Sequence, residues 1–595
     1  MVKIKPPVIH KTNYDLAQVR QLNQEIIAKV SIKDQPYLLE YPTVYVINHQ
    51  LAAPHRTGYT VYVGETNDIQ RRTLEHLEID PEHRADWAKL GKEKGAQMYV
   101  IGHEHFNKSL TLDIENRLMQ YLSSVAAVTH LNNRRENAQH NYYPSDEMEP
   151  IFNKIWQRLH NANPVLFPAQ RLLEDSALFK ASPFNKLTSE QLLAKDQILD
   201  TVTTALQTGQ CQQLVKVTGE AGAGKTVLMS NIFYELAQKP NIKVAMMVNH
   251  HQQEKVYQQI AKKLGIEKRA QVIKATTFIN NYSSKEPIDV AFVDEAHLLL
   301  TQRSQAYHGH GTNELIDIIK RAHVTLAVYD EHQILQTTQI METNDQAELA
   351  NFKTQVIHLA NQMRIMANPA TIQWLRNLLD QGIIGPVPVD HKYDLQLFDS
   401  PAAMEAAIRR QNEQDQENGL SRMVATFDWQ YSSTPKKEGY WEVTEGDWHM
   451  PWNLQLKPLL KKHRSVQYKN LAWPEQAHTI NEIGSTYTIQ GLDLNYVGVE
   501  LGPSVKYRDG RIVFDPTASA NKKAVNQRTM HDGQKMRFGK QLLKNELNVL
   551  LTRGVHGLYF MRLIRLYKLP CNMPLIKRGN KHGVFRYYSC LAAIS

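Results

Sequence analysis

The run Leu214 to Thr226, Leu-Val-Lys-Val-Thr-Gly-Glu-Ala-Gly-Ala-Gly-Lys-Thr, constrains the fold more than any other stretch. An apolar strand turns through glycines directly into a helix, which is the shape of a nucleotide-binding P-loop. Gly219, Gly222 and Gly224 let backbone N–H groups face a β-phosphate, Lys225 supplies positive charge to the β- and γ-phosphates, and the Thr226 hydroxyl is suited to ligating Mg²⁺. The dipole of the following helix adds to that field. A glycine-rich turn with a chance lysine is the bland alternative. The strand before and the amphipathic helix after argue against it.

A second phosphate element lies in Ile288-Asp-Val-Ala-Phe-Val-Asp-Glu-Ala-His297, an apolar run that reads as a buried parallel strand and ends in two carboxylates. Asp294 is placed to hold Mg²⁺ through water, and Glu295 to polarise the water that attacks a γ-phosphate. The two elements together imply nucleotide hydrolysis. A helix-capping Asp-Glu pair is the alternative for an isolated match, not for one beside a P-loop.

The chain has 595 residues, enough for about three or four domains with packed cores. Cys211, Cys571 and Cys590 show no metal-ligand spacing and form no disulfide framework, so a reducing interior is the expected compartment. The amino terminus, Met-Val-Lys-Ile-Lys-Pro-Pro, lacks the apolar core of a signal peptide, and no stretch reads as a membrane span. The expectation is a cytoplasmic protein with no membrane partner. A net charge of +9 favours a polyanionic partner, weakly, because it is spread over so long a chain.

The first 145 residues carry a different pattern. Pro42 to Ile47 and Tyr59 to Gly64 read as a β-hairpin, followed by a helix start at Asn67 or Asp68. Arg72 and His76 fall four apart on that helix and share a face, where a guanidinium can hold a phosphate and an imidazole can move a proton. A surface histidine is the dull reading of His76. A later helix, about Leu110 to Leu122, puts Glu115 on or beside its apolar stripe, where a carboxylate needs a partner such as a metal.

At these residues the chain resembles the GIY-YIG endonuclease family, with Thr43-Val44-Tyr45 as the first motif, Tyr62-Val63-Gly64 as the second, then Arg72, His76 and Glu115. The resemblance covers about residues 40 to 140. It implies metal-dependent hydrolysis of a nucleic-acid phosphodiester. Glu115 would hold one Mg²⁺ or Mn²⁺, Arg72 would stabilise the phosphorane, and Tyr45 or Tyr62 would assist deprotonation of water. The family's late asparagine would be Asn132 or Asn133. Thr43 stands where the family usually has glycine, and the loop from Asn48 to Gly58 is longer than is common.

Pro144 to Lys186 is punctuated by prolines and reads as a linker with one short helix near Ile151 to Leu159. Beyond it Gln191 is placed to read adenine N6 and N7, which would favour ATP. Val324 to Gln333 is another buried-type strand, with Gln333 set to sense a γ-phosphate. Leu359 to Arg364, Gly484 to Asp493 and Val549 to Gly554 each offer a cation or amide later in the chain.

This ordered set resembles superfamily 1 helicases, most closely the bacterial proteins related to the Schlafen group III helicase domain, over about residues 185 to 565. The resemblance implies two RecA-like lobes with ATP and Mg²⁺ between them. Gln191, Lys225, Thr226, Asp294, Glu295 and Gln333 would come from the first lobe, and Arg364 and Arg553 would be arginine fingers of the second. Gln490 and Gly491 would couple ATP to a bound strand. Ala296-His297 follows the Walker B carboxylates, where many relatives have other residues.

Val387 to Glu475 reads as an insertion in the second lobe, with Trp429, Trp441, Trp448 and Trp452 followed by Lys461-Lys-His-Arg464. Base stacking on those aromatics is one reading, core packing the other. Thr276-Thr-Phe278 is a further candidate for touching the strand. The expected class is therefore α/β, a small α+β GIY-YIG domain over 1–145, a linker over 146–185, and RecA-like lobes over 186–345 and 346–595. The expected function is an ATP-dependent motor with an endonuclease, acting on DNA, with RNA as the alternative. Antiphage defence is the leading role by analogy of architecture. DNA repair, or an ATP-controlled switch without unwinding, are the alternatives.

Overall fold

The computed structural model describes residues 4–51, 58–83, 87, 95–132, 142–174, 176–220, 222–302, 311, 313–360, 362, 364–413, 419–434, 436–457 and 471–561. Asn133, Lys461 to Arg464, Cys571 and Cys590 lie outside these.

Five strands build the first module: β1 (Val8–Asn13), β2 (Thr43–Leu51), β3 (Gly58–Thr66), β4 (Gln97–Gly102) and β5 (Val128–Asn132), in the order β1-β4-β2-β3-β5. The expected hairpin is β2–β3, antiparallel, with Tyr45 opposite Gly64 and Ile47 opposite Tyr62. The two-residue period of a strand therefore puts Tyr45, Tyr62 and Gly64 on one face. Helix α1 (Ile69–Glu78) follows, capped by Asp68, which accepts from the Arg71 N–H at 3.0 Å. Helix α2 (Lys108–Ser124) is capped by Asn107 and crosses the sheet.

Residues 146–185, expected to be a linker, are packed structure. Helix α3 (Met148–Ala162) carries Ile151, Phe152, Ile155, Trp156 and Leu159 on one stripe, and all five are fully buried. Each such burial contributes roughly 1.5–3 kcal/mol. Leu166, Phe167, Leu173, Phe179 of helix α4 (Ala177–Lys180), Phe184 and Leu187 extend the same apolar cluster from Val44 in the first module to Leu359 in the next. Of the prolines that suggested a linker, Pro150 lies in the first turn of α3, and Pro144, Pro164 and Pro183 sit in turns around these buried side chains.

After α5 (Ser189–Thr208), six parallel strands form the second sheet: β6 (Gln213–Gly219), β7 (Val244–Val248), β8 (Ala270–Ile273), β9 (Ile288–Asp294), β10 (Ala322–Tyr329) and β11 (Lys353–Leu359). Their order is β11-β6-β10-β9-β7-β8. This sheet runs past the boundary expected at residue 345, because β11 pairs with β6 over its whole length. Helices α6 (Lys225–Gln238), α7 (His251–Lys263) and α8 (Ala275–Asn281) connect the strands. Phe278 of α8 is core, buried and stacked on Tyr282, and of the Thr276-Thr-Phe run only Thr277 is exposed.

The second lobe has four parallel strands, β12 (Asp394–Phe398), β13 (Arg422–Ala425), β14 (Leu494–Glu500) and β15 (Gly554–Met561), ordered β12-β15-β14-β13. The expected insertion over 387–475 is thus too wide, since β12 and β13 belong to the sheet. Only the stretch after β13 stands apart, with a small hairpin of Glu442–Glu445 and Trp448–Pro451. Its tryptophans are packing residues. Trp452 is fully buried, and the indoles of Trp429, Trp441, Trp448 and Trp452 donate to Thr444, Thr434, Glu405 and Gln430.

Two seams join the lobes. From helix α9 (Gly539–Leu551), the Asn545 amide donates to the Glu331 and Ile334 carbonyls at 3.0 and 2.9 Å. At the other seam Arg528, buried, donates to Thr301, Thr337, Ile340 and Glu342, the last at 2.6 Å. Among the described residues no helix is long and apolar enough to cross a membrane. Arg528→Met leaves Glu342 buried without its cation, so urea unfolding should report a loss of about 3–5 kcal/mol. Adding Glu342→Met should recover much of it, and a double variant as weak as the single one would contradict this reading of the seam.

Candidate nucleotide cleft and a second polar cluster

The P-loop leaves the C-terminal end of β6, at the switch point of strand order where open parallel sheets bind ligands. Gly219, Gly222 and Gly224 have φ of +151°, +90° and +74°, which favour glycine. A Cβ on Gly222 would lie 2.3 Å from the Arg364 Cβ, so this turn of the loop is also where the later arginine arrives. The Lys225 ammonium donates to the Gly219 and Glu220 carbonyls at 2.6 and 2.8 Å and lies 3.8 Å from Asp330. Burial pulls its pKa down. Against the upward push of burial, Lys225 and the Gln333 amide hold Asp330 below the usual carboxylate value.

A cavity of about 360 Å³ opens here, lined by Gly222, Lys225, Thr226, Glu295, Gln333 and Arg364 at its polar end. Arg364 pairs with Asp493 at 2.5 Å, and its Nη1 is buried with no hydrogen-bond partner among the described residues. An orphaned guanidinium N–H beside a P-loop fits an anion such as a γ-phosphate. Asp294, at the end of β9, accepts from the Tyr257 hydroxyl at 2.9 Å and from the Glu295 N–H at 3.0 Å. Burial, and next the Glu295 charge, push its pKa up. A divalent cation would restore the ionised form, so Asp294 and Thr226 fit an Mg²⁺ site. Glu295 adopts φ +51° and lies 3.4 Å from the buried His297.

Gln333 is the hub between the lobes. Its amide donates to Asp330 at 2.7 Å, its carbonyl oxygen accepts from Arg553 at 2.6 Å, and its backbone carbonyl accepts from Gln490 at 3.1 Å. Gln490 also lies 3.4 Å from His297, so the residues after the Walker B carboxylates feed the same junction. Gly491 has φ +78° and packs against Gln253 at the start of α7.

Two expectations need correcting. Gln191 does not face the cavity: its carbonyl oxygen caps α5 at the Thr188 N–H, and its amide donates to the Ala223 and Gly224 carbonyls at 3.3 and 3.4 Å. It braces the P-loop from behind. Arg553 is likewise one layer back, fully buried and bonded to Gln333, Val549 and Leu492. Burial lowers its pKa to about 10, with Arg364 adding to the drop, and it stays charged. Arg364 alone of the pair lines the cavity.

A family model for the Schlafen group 3, DNA/RNA helicase domain matches residues 212–562. The chain belongs to this Schlafen group 3 helicase family. It therefore carries a nucleic-acid helicase motor. The uncharacterised protein YPL245W of Saccharomyces cerevisiae is 28% identical over 384 residues, covering 58% of this chain and 80% of that protein. A chain from a structure of DNA unwinding at forked dsDNA by two coordinating Pif1 helicases aligns at 12% identity, over 39% of this chain and 59% of that one, with a TM-score of 0.19. The family match ends short of the first module, whose residues form a separate polar cluster.

In that cluster Tyr45, Tyr62, His76, Asp80 and Trp87 come together with Arg72 beside them, while Glu115, on α2, reaches Tyr45 through its charge. A Cβ on Gly64 would lie 2.5 Å from the Tyr45 hydroxyl and 2.8 Å from the Tyr62 ring, so glycine there lets both rings lie over the strand. His76 is buried rather than on the surface: it stacks on Trp87 at 3.8 Å, its Nδ1 lies 2.5 Å from Asp80, and its Nε2 lies 2.8 Å from the Tyr45 hydroxyl. The Asp80 carboxylate favours the tautomer with the proton on Nδ1, leaving Nε2 to accept from Tyr45. Burial, then Tyr62, raise the Tyr45 pKa far above its usual value. Tyr45 or Tyr62 was expected to assist deprotonation of water, and the Tyr45 hydroxyl is aimed at His76 Nε2, 2.8 Å away.

Arg72 is bound to Glu75 at 2.9 Å and lies 3.9 Å from Asp80. Arg72 and the buried Glu115 both act electrostatically on the Tyr45 hydroxyl. Asn132 pairs with Tyr62 across β3–β5. Asp80, Asp330, Tyr257 and Asp493 were not singled out from the sequence. Asp330 had the same signal as Asp294, a carboxylate ending an apolar strand, whereas the others become polar partners only through tertiary contact.

Arg364→Ala should cut the turnover of ATP hydrolysis by about 10³-fold with little change in ATP affinity. Gln490→Ala should leave basal turnover near wild type but abolish its stimulation by a strand. Steady-state ATPase assays with and without single-stranded nucleic acid check both, and normal stimulation in Gln490→Ala would remove it from the coupling path.

Proposed function

We propose that the protein is an ATP-driven motor that carries a metal-dependent GIY-YIG endonuclease, acting on DNA. The motor half is supported best by Arg364, whose unpartnered guanidinium nitrogen from the later lobe stands at the P-loop. Lys225 and Arg364 bind the triphosphate from opposite sides, Glu295 orients the attacking water, and Gln333 passes the change in contact to Arg553 and Gln490. Thr226 and Asp294 would hold an Mg²⁺, which would supply charge neutralisation of the phosphates. The lobe-to-lobe contact then differs before and after hydrolysis, which is what moves a strand.

The nuclease half is supported by the cluster of Tyr45, Tyr62 and His76 at Gly64, with the charges of Arg72 and Glu115 acting on Tyr45. Glu115 would hold the metal, Arg72 would hold the phosphate, and the chain Tyr45–His76–Asp80 would take up the proton of the attacking water. A cutter attached to a motor gains effective concentration wherever the motor engages. That pairing fits defence against invading DNA, and survival of phage-challenged cells carrying wild type or Lys225→Ala tests the role.

Nicking of supercoiled DNA should require Mg²⁺ or Mn²⁺, cease with EDTA, and be lost in Glu115→Gln and Arg72→Ala. Asp80→Asn should shift the pH profile of cutting while leaving DNA affinity unchanged. An undiminished cutting rate in Glu115→Gln would sink the assigned metal site.

A further inference from the structure

The nucleotide cleft has a wall that belongs to neither lobe. Opposite the P-loop its lining includes Phe179, Lys180, Ala181 and Asn185, all from the segment joining the first module to the motor, together with Val256 of α7. The polar end takes phosphates. The remaining space is bordered by an aromatic ring, small apolar side chains and an ammonium whose charge reaches Asp493, a surface suited to a nucleobase and ribose. Gln191, the residue expected to read the base, is fully engaged behind the P-loop.

This wall is held by α2, the helix that bears Glu115. The Gln120 amide donates to the Asn185 side-chain oxygen, and the Asn185 amide in turn donates to the Phe179, Lys180 and Ser182 carbonyls at 3.3, 3.1 and 2.9 Å. The Arg117 guanidinium lies 5.7 Å from the Phe179 ring and donates to Gln120 at 2.7 Å. The Tyr121 hydroxyl donates to Glu174, and Ser123 meets Ser182 at 3.2 Å. On the other side Lys263, ending α7, donates to the Ser123 and Val125 carbonyls at 2.7 and 2.8 Å, where α2 terminates. The first turn of α7 sets Gln253 against Gly491, and its Tyr257 reaches Asp294, so the helix links the cleft to α2 as well.

We infer that Phe179 and Lys180 contact the nucleoside part of bound ATP, and that Asn185, positioned by Gln120, fixes this wall to the Glu115 helix so that nucleotide and nuclease centre sense one another. The inference rests on reading the cleft as an ATP site. By linkage, a ligand at the Glu115 cluster and a nucleotide in the cleft change each other's affinity by the same factor.

Calorimetric titration of the full chain with MgADP and, separately, with inorganic pyrophosphate tests this. Phe179→Ala should weaken MgADP about tenfold, and Gln120→Ala, which lies outside the cavity lining and reaches it only through Asn185, about fivefold. Pyrophosphate, which reaches only the phosphate end, should bind all variants alike. Lys180→Ala, a half-buried site tolerant of truncation, keeps the test open if Phe179→Ala misfolds. MgADP binding equal to wild type in Lys180→Ala and Gln120→Ala overturns the inference. If instead Lys225→Ala binds MgADP as wild type does, the ATP-site reading itself has failed.

Discussion

One apolar cluster, running from Val44 through the α3 stripe of Ile151, Phe152, Ile155, Trp156 and Leu159 and on through Phe179 to Leu359, welds the first module to the motor, and the placement of much else follows from it. A helix with five large side chains buried on one face cannot swing as a tether without exposing them, at a cost of many kcal/mol. The segment after it is therefore fixed as well. That is why Phe179, Lys180 and Asn185 can line a cleft between two lobes to which they do not belong.

Within the cleft the governing economy is electrostatic. Lys225, Arg364 and Arg553 are cations in a largely buried space, and Asp330, Asp493 and Gln333 receive them before any nucleotide arrives. Charges held this way cost desolvation and repay it only when each partner is in place. In the proposed mechanism a γ-phosphate would compete for Lys225 and Arg364, so its arrival and loss would change the contacts of Asp330 and Asp493, one on each lobe. The seam at Arg528 and Glu342 keeps the lobes registered while this exchange occurs.

Most of the motor was legible in the chain, because its chemistry is local. A P-loop needs glycines at positive φ next to one another, and a Walker B site needs a carboxylate ending a buried strand; both patterns survive in one dimension. The hairpin carrying Tyr45, Tyr62 and Gly64 was legible for the same reason, since a strand's period places them on one face. The weld was not: prolines and polar residues between Pro144 and Lys186 resemble a linker until the apolar stripe of α3 is matched to a surface. Gln191 and Arg553 were given the right neighbourhood and the wrong layer. Sequence order cannot distinguish an amide facing a ligand from one bracing the loop that does.

Native-state hydrogen exchange across increasing denaturant measures the weld directly. If the first module and the motor's first lobe share one core, the slowest amides of β2 and β6 should exchange through one unfolding event with the same free energy and the same denaturant dependence. Strand β2 opening several kcal/mol earlier than β6, with a smaller slope, would show a tethered domain and contradict the account.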